Sequence, residues 1–509
     1  MNGSIQHITK PAVRGEGGIV AAQNHTAAAV GAGILARGGN AVDAAVATAF
    51  SLALLEPWMS GLGGGGTMLV YLAAEKRTYA VDFGMVAPAG LDPGDYPLTG
   101  DMGGDLFGWP AVVEDRNVRG PLAMAVPGSV DGLGLALERF GTLPLADIVQ
   151  PAIGLAERGL PIDWYSSLLI TTAAADLRRY ASSAAVWLPD GLPPAPDPLG
   201  LPRHLGLPGL AGSLRRLARH GRREFYEGEL ARGIVEDVRA LGGKLSAGDL
   251  ARYRAAIVEP LSIPYRAHKV AAMPGLYAGH TLSRCLAELS PVAMPDYVDF
   301  AAALEAAYKE RLGKMGDSAA SPSSTTHLAV ADRDGNLVAL TNTLLSLFGS
   351  KVVLPQSGIL MNNGIMWFDP RPDGPNRMAP GRRPLSNMCP AIAFASDGRV
   401  LAIGASGGRK ILPSVLQILS FVLDEDLHLG AAFAKPRIDV SGTDQVCVDL
   451  RIDEITRSEL AARWRTREVV PTVYPLSWAC PVGVIRHPDG HLWGAAEPMQ
   501  PWADAVSAS

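Results

Sequence analysis

The sequence predicts an α+β fold built in layers, and three observations carry that expectation. Helical patterns come in blocks and strand patterns in hairpin-like pairs, without the strand–helix alternation of a doubly wound parallel sheet. The chain is 48% hydrophobic over 509 residues, ample for a large core. Its 57 glycines and 39 prolines supply many turns between short elements.

Taken in order, residues 18–24 read as a strand. Ala27 to Arg37 and Ala41 to Leu55 read as helices joined at Gly38-Gly39-Asn40, with glycine as helix stop and Asn40 as N-cap. Gly61-Leu62-Gly63-Gly64-Gly65-Gly66 leads into a strand from Thr67 to Leu72. No Gly-Lys-Ser/Thr follows and no helix begins there, so close backbone approach beside a site is a better reading than a phosphate cradle. A strand over 76–83 ends in Asp82-Phe83-Gly84, and an irregular stretch fills 86–120. Helices are expected over 130–140 and 146–158. The Pro- and Gly-crowded segment Trp187 to Leu210 reads as surface loop. Further helices are expected over 226–240, 279–289 and 298–313. A hairpin follows: side chains alternate from Thr326, Asp334-Gly335-Asn336 turns the chain, and Leu337 to Thr343 returns it. Strands at 389–395 and 399–405 flank Asp397-Gly398, a helix covers 411–423, and the tail holds short strands with a helix near 454–463.

A net charge of −5 without a basic block argues against nucleic acid or an anionic membrane as partner. Cys285, Cys389, Cys447 and Cys480 are far apart, without Cys-x-x-Cys spacing, and read as buried hydrophobes rather than disulfides or a zinc site. Residues 1–7 show neither a basic region nor an apolar run of a secretory signal. The most apolar stretch, Ala41 to Leu55, is too short to span a bilayer and carries Asp43. The expectation is a soluble, cytoplasmic protein.

Two stretches offer a nucleophile. In Ser323-Ser324-Thr325-Thr326-His327, a threonine hydroxyl stands at the head of an inner strand. It is too weakly acidic to ionise at neutral pH, but cutting the preceding bond would place a new α-amine within reach as its base. The plain reading is a threonine-rich hairpin, which strands favour anyway. The rival is Gly404-Ala405-Ser406-Gly407-Gly408, a G-x-S-x-G match between a strand and a helix. Asp424, Asp426 or Asp439, then His487 or His491, would complete a Ser–Asp–His order. The same glycines could instead aim backbone N–H groups at a developing oxyanion.

Several stretches occur together in one order over nearly the whole chain. They are Gly38 to Ala47, Glu56-Pro57 with the run to Gly66, Val126-Pro127-Gly128-Ser129-Val130, Gln150-Pro151-Ala152 and Thr325-Thr326-His327. Gly358 to Asn363, Arg383-Pro384-Leu385-Ser386 and Ser406-Gly407-Gly408 complete the set. In these the chain resembles the γ-glutamyltransferase (γ-glutamyltranspeptidase) family of N-terminal-nucleophile hydrolases. The resemblance implies a four-layer αββα fold made as one precursor. It implies self-cleavage between Ser324 and Thr325 into segments 1–324 and 325–509, a heterodimer of its own two pieces within one structural unit. Thr325 would be the nucleophile, Thr343 the second threonine that orients its hydroxyl, and Gly407 with Gly408 the oxyanion pair. The substrate would be a small amide. No metal or organic cofactor is implied.

The departures from the family concern the substrate. Where the family carries an arginine after Asp-Phe for the substrate α-carboxylate, this chain has Gly84. The asparagine two residues after the second threonine is Leu345. The family's Gln and Asp after Asn-Asn fall at Gly364 and Trp367, and its Ser-Ser pair is Ser386-Asn387. Trp367 and Phe368 suggest an apolar or flat group, with Arg382, Arg383, Arg409 or Lys410 to receive a carboxylate. Ser386, Asn387, Trp367 and Arg383 are therefore the substrate-binding candidates. Each lost charged contact costs on the order of 2–5 kcal/mol, so a standard γ-glutamyl substrate is disfavoured. The spacer before Thr325 is also short for the family. A genuine γ-glutamyltransferase with a rebuilt reader, a serine hydrolase using Ser406, and a non-catalytic relative remain as alternatives.

Overall fold

The computed structural model describes residues 8–103, 109–315, 324–441 and 445–508. Alternation along its strands sorts the core into three apolar layers. In the strand Ser324–Asp332, Leu328 and Val330 face one way while Ala329 and Ala331 face the other. One seven-stranded sheet runs, edge to edge, Asp504–Ser507, Gly18–Ala22, Ser324–Asp332, Leu337–Leu345, Gly65–Leu72, Arg77–Phe83 and Ala256–Val258. The other runs Val13–Gly15, Leu492–Ala496, Cys480–Arg486, Val400–Ser406, Ala391–Phe394, His268–Ala272 and Leu261–Tyr265. Neighbours within both pair antiparallel, for example Leu328 opposite Leu340 and Gly404 opposite Val482.

The outer face of the first sheet (Val20, Val70, Leu328, Leu340) packs against the helices His25–Ala36 and Ala41–Leu55. The outer face of the second (Val270, Ala393, Ile403) packs against Gly279–Leu289, Tyr297–Met315 and Ile411–Leu423. The inner faces meet through Ala21, Ala80, Ala329, Ala331 and Ala339 on one side and Ile392, Ala402, Val482 and Val484 on the other. Helix, sheet, sheet, helix is the αββα order. The two ends of the chain are interleaved, since Ser324–Asp332 pairs with both Gly18–Ala22 and Leu337–Leu345.

Helices form over 41–55, 279–289, 411–423 and 454–463 as expected. Asn40 caps the second helix in a reciprocal box with Asp43, whose buried carboxylate also takes the Thr142 hydroxyl at 2.6 Å. The expected helix over 226–240 is broken at Gly228 into Glu224–Glu227 and Glu229–Ala240. Any side chain at 228 would meet the Glu224 carboxyl group, so the break is where the two short helices touch. Helices Trp164–Leu177, Ala181–Trp187 and Leu210–His220 were not expected. Leu210, Leu214 and Leu217 do have helical spacing, but they follow directly on Pro208-Gly209, which reads as loop. Cys285, Cys389, Cys447 and Cys480 carry free thiols, Cys447 half-exposed and the others buried. Among the described residues no helix is long and apolar enough to cross a membrane.

Candidate active site

Thr325 is the second residue of its strand and sits at an irregularity in the pairing. Ser324 lies opposite Leu345, and regular register with the neighbouring strand resumes at Thr326 opposite Asn342. The Thr325 hydroxyl is buried, 3.2 Å from the Thr343 hydroxyl on that neighbour. Thr343 Oγ1 in turn accepts the Leu345 N–H at 2.8 Å. Leu345 has φ 90°, a left-handed conformation that strains a side chain and that an asparagine tolerates better. The chain therefore bends sharply right after Thr343, and that bend orients its hydroxyl from behind.

The glycine run is read correctly as close approach. Gly65 and Gly66 belong to the strand paired with Thr343 and Asn342. A Cβ on Gly64 would lie 2.3 Å from Thr343 O, and one on Gly66 would lie 2.2 Å from Thr341 O. Asn362 ties this region together, donating to Gly63 O at 2.6 Å and Ala125 O at 3.0 Å and accepting Ala125 N–H at 2.9 Å. Ser129 donates to Asn342 Oδ1 at 2.7 Å.

His327, two residues past Thr325, is fully buried between the sheets. Its ring lies flat on Gly404, where a Cβ would meet Cε1 at 2.3 Å. Nδ1 bonds the Thr341 hydroxyl at 2.9 Å, and burial pushes the imidazole down to about 3, so the ring is neutral. From this contact the two strands run to a common end: Thr325 lies two residues before His327, and Ser406 two residues after Gly404. Gly407 (φ 132°) and Gly408 (φ 63°) turn the chain there into the helix Ile411–Leu423.

The Ser–Asp–His reading of Ser406 is not assembled. Ser406 Oγ accepts from Gln23 Nε2, and its strand is antiparallel to both neighbours, unlike the parallel sheet beneath a nucleophile elbow. His487 and His491 lie past Arg486, which shares the far end of the pairing with Val400, six residues along the strand from Ser406. That is roughly 20 Å at the usual strand rise. Asp424 is held by Tyr265 and Arg266, Asp426 pairs with Arg399, and Asp439 holds Ser441.

A cleft of about 180 Å³ opens at the end of the strand Arg77–Phe83, on the same sheet as the threonine pair. Asp82, Gly84, Met85, Leu276, Tyr277, Trp367, Arg383, Ser386 and Met388 form most of its wall. It approaches the threonine strands through Met85, whose Cγ would lie 2.8 Å from a Cβ on Gly65, the partner of Thr343. Trp367, Arg383 and Ser386, three of the four binding candidates, thus line one cleft. Asn387 is half-buried and is not part of this wall. Of the four cations named from sequence, Arg383 lines the cleft. Arg382 is exposed, Lys410 donates to Ser477 O at 2.7 Å, and Arg409 is buried, its carbonyl accepting from Tyr308.

Sequence reasoning missed Asp82 and Tyr277. The Asp82 carboxylate takes the Arg383 guanidinium, the Tyr277 hydroxyl and Gly84 N–H. Burial is the largest single influence and would lower the Arg383 pKa, but the Asp82 carboxylate together with Tyr253 and Tyr277 outweighs it and holds the guanidinium above its ordinary value. A Cβ on Gly84 would lie 2.7 Å from the Tyr277 hydroxyl and 3.4 Å from Arg383 Nη1. The place where a reader arginine would start is filled by other residues. Tyr277 has no sequence signal, whereas Asp82-Phe83-Gly84 was the marker for Asp82. The short spacer before Thr325 lies outside the described residues, and of Ser324 only the strand pairing is described.

The gamma-glutamyltranspeptidase family model matches residues 27–323 and 306–506. The acylase ACY 1 proenzyme of Pseudomonas sp. (strain V22) is 34% identical over 533 residues, covering 96% of this chain and 93% of that protein. The glutathione hydrolase proenzyme of Escherichia coli (strain K12) is 32% identical over 547 residues, covering 96% and 91%. Among solved structures, the cephalosporin acylase from Bacillus halodurans superposes with a TM-score of 0.85 at 25% identity, covering 100% of this chain and 98% of that one.

Proposed function

The chain belongs to the gamma-glutamyltranspeptidase family, enzymes of the N-terminal-nucleophile type, and from that premise we propose that it is a self-processing amidohydrolase or acyltransferase using Thr325 on a small amide other than a standard γ-glutamyl compound. The observation that carries the nucleophile is the contact between the Thr325 and Thr343 hydroxyls. In self-cleavage Thr325 Oγ attacks the Ser324 carbonyl carbon, the Ser324–Thr325 amide becomes an ester, and water releases residues 1–324. The α-amine thus freed accepts the Thr325 hydroxyl proton as Oγ attacks the substrate amide. The backbone N–H groups of Gly407 and Gly408 stabilise the tetrahedral oxyanion. The leaving amine departs with the proton, and water or a second amine takes the acyl group from Thr325. Thr343 orients the attacking oxygen.

Substrate choice rests on the cleft. Trp367, Met85, Leu276 and Met388 offer an apolar wall, and Arg383, paired with Asp82, offers a cation for a carboxylate. Gly84, crowded by Tyr277 and Arg383, leaves no start for an arginine clamp. The curated relatives named above are an acylase and a glutathione hydrolase, and the altered reader favours the acylase type for this chain.

The test is a denaturing gel and N-terminal sequencing of purified protein. Two fragments are expected, the smaller beginning at Thr325, with Thr325→Ala uncut and inactive. A single full-length chain whose activity survives Thr325→Ala would overturn the proposal.

A further inference from the structure

A carboxyl group without a charged partner lies directly behind the strand end that carries Thr325. Glu56 follows the helix Ala41–Leu55 and is completely buried. The Thr326 hydroxyl and Glu56 Oε2 lie 3.3 Å apart, a contact that the acid's O–H can make by donating to the Thr326 hydroxyl oxygen, and Gln500 Nε2 donates to Oε1 at 3.4 Å. An ionised carboxylate draws a hydroxyl donor in to roughly 2.5–2.7 Å, well inside the Thr326 contact. Among the described residues no positive charge compensates it. Burial pushes the Tyr165 hydroxyl and the Cys480 thiol well up, so both are neutral. Lys10 spends its ammonium on the backbone oxygens of Gln500 and Ala503 instead of on Glu56.

Thr325 itself stands in the irregularity between Ser324 and Thr326, so the regular ladder does not fix it. Thr326 is the first residue back in register, and its side chain points to the helix side while Thr325 meets Thr343. We propose that Glu56 is a positioning residue that acts through Thr326, as the uncharged acid, to fix the strand end on which Thr325 stands. The inference rests on Thr325 being the nucleophile. Desolvation pushes the Glu56 carboxyl group up to about 8. Above that pH an unpaired charge forms beside Thr326, and the strand end must move or admit water.

The test uses the processed enzyme, with 4-nitrophenyl acetate as a general acyl probe, between pH 6.5 and 9.5. Wild-type kcat/KM should fall about ten-fold per pH unit once Glu56 ionises. Glu56→Gln keeps shape and neutrality, so it should stay within about three-fold of wild type at pH 7 and lose the alkaline fall. Glu56→Ala should be at least ten-fold slower throughout; where it fails to fold, the Glu56→Gln profile decides. An alkaline fall retained in Glu56→Gln, with Thr325→Ala inactive, would overturn this proposal alone. Full turnover by Thr325→Ala would remove the nucleophile assignment and this proposal with it.

Discussion

Restoring the family's arginine at position 84 should fail, and the geometry says why. In Gly84→Arg the new Cβ lies 2.7 Å from the Tyr277 hydroxyl, closer than real Cβ contacts come. Tyr277 is buried, so its hydroxyl must leave Asp82 to make room. Losing a hydrogen bond to a charged group costs about 1.5–3 kcal/mol, and overpacking adds about 1–3 kcal/mol. The new guanidinium would also stand near Arg383, with Asp82 as their shared counter-ion. Two like charges about 4 Å apart repel by about 4 kcal/mol at an effective dielectric of about 20, and Asp82 offsets only part of that. The single variant should therefore lose about 2.5–6 kcal/mol of stability from the first two costs alone, read by urea denaturation, and gain no γ-glutamyl-4-nitroanilide hydrolysis. Adding Tyr277→Phe removes the oxygen in the way and should recover much of the loss. A Gly84→Arg enzyme as stable as wild type, or more than ten-fold faster on the anilide, would refute the account of the cleft.

Thr343→Ala removes the only hydroxyl described within reach of Thr325 Oγ1. It should cut kcat about a hundred-fold with a smaller effect on KM, and Thr343→Ser should restore most of it, as steady-state kinetics would show. Ser406→Ala should leave turnover within a few-fold, because Ser406 meets Gln23 and no histidine; a thousand-fold loss would revive the serine reading. His327 predicts a pH effect on stability. Its pKa falls from 6.5 to about 3 on folding, so both states are neutral above about 6.5 and only the unfolded chain gains the proton below. Stability is therefore present above 6.5 and lost as pH falls toward 3, by about 2 kcal/mol between pH 6.5 and 5. Denaturation of His327→Asn across that range should lack this slope.

What could be read from sequence divides along physical lines. The helix Ala41–Leu55 carries its own start signal: Asn40 is the N-cap that the pattern promised, and the structure adds Asp43 as its reciprocal partner in a capping box. The hairpin at Asp334-Gly335-Asn336 is similarly local: Asp332 gathers the N–H groups of Asp334 and Asn336, and Gly335 takes φ 86°. The cleft is not local. Asp82 and Arg383 stand 301 residues apart, and neither residue's neighbours announce the other. Glu56 is equally silent. In sequence it is part of a Glu-Pro pair, and only the folded chain shows a carboxyl group sealed against Thr326 and Gln500. The helix Leu210–His220 was lost for a different reason, because Pro208-Gly209 dominates the local signal while the apolar stripe behind it needs the tertiary partner Ile148–Ala156 to matter.

The same division explains why the acyl-transfer end can stay fixed while the reader changes. Thr325 and Thr343 stand on adjacent strands, and a Cβ on Gly63, Gly64 or Gly66 beside them would lie 2.2–2.4 Å from a backbone oxygen. A change there disturbs the sheet itself. Gly84, Leu276, Tyr277, Arg383 and Ser386 lie in turns and loops, and Trp367 ends the short 3-10 helix Gly364–Trp367, so none of them sits on a strand. They can exchange a charged clamp for an Asp82–Arg383–Tyr277 cluster without altering one strand pairing. If so, specificity should move with substitutions at Tyr277 and Arg383 while self-cleavage does not. Arg383→Met should lower kcat/KM about thirty-fold for a carboxylate-bearing amide relative to its neutral analogue, corresponding to about 2 kcal/mol for a partly exposed charge contact. It should leave the yield of fragments beginning at Thr325 unchanged on a denaturing gel. Loss of processing in that variant would mean that reader and nucleophile are one mechanical unit and that this separation is wrong.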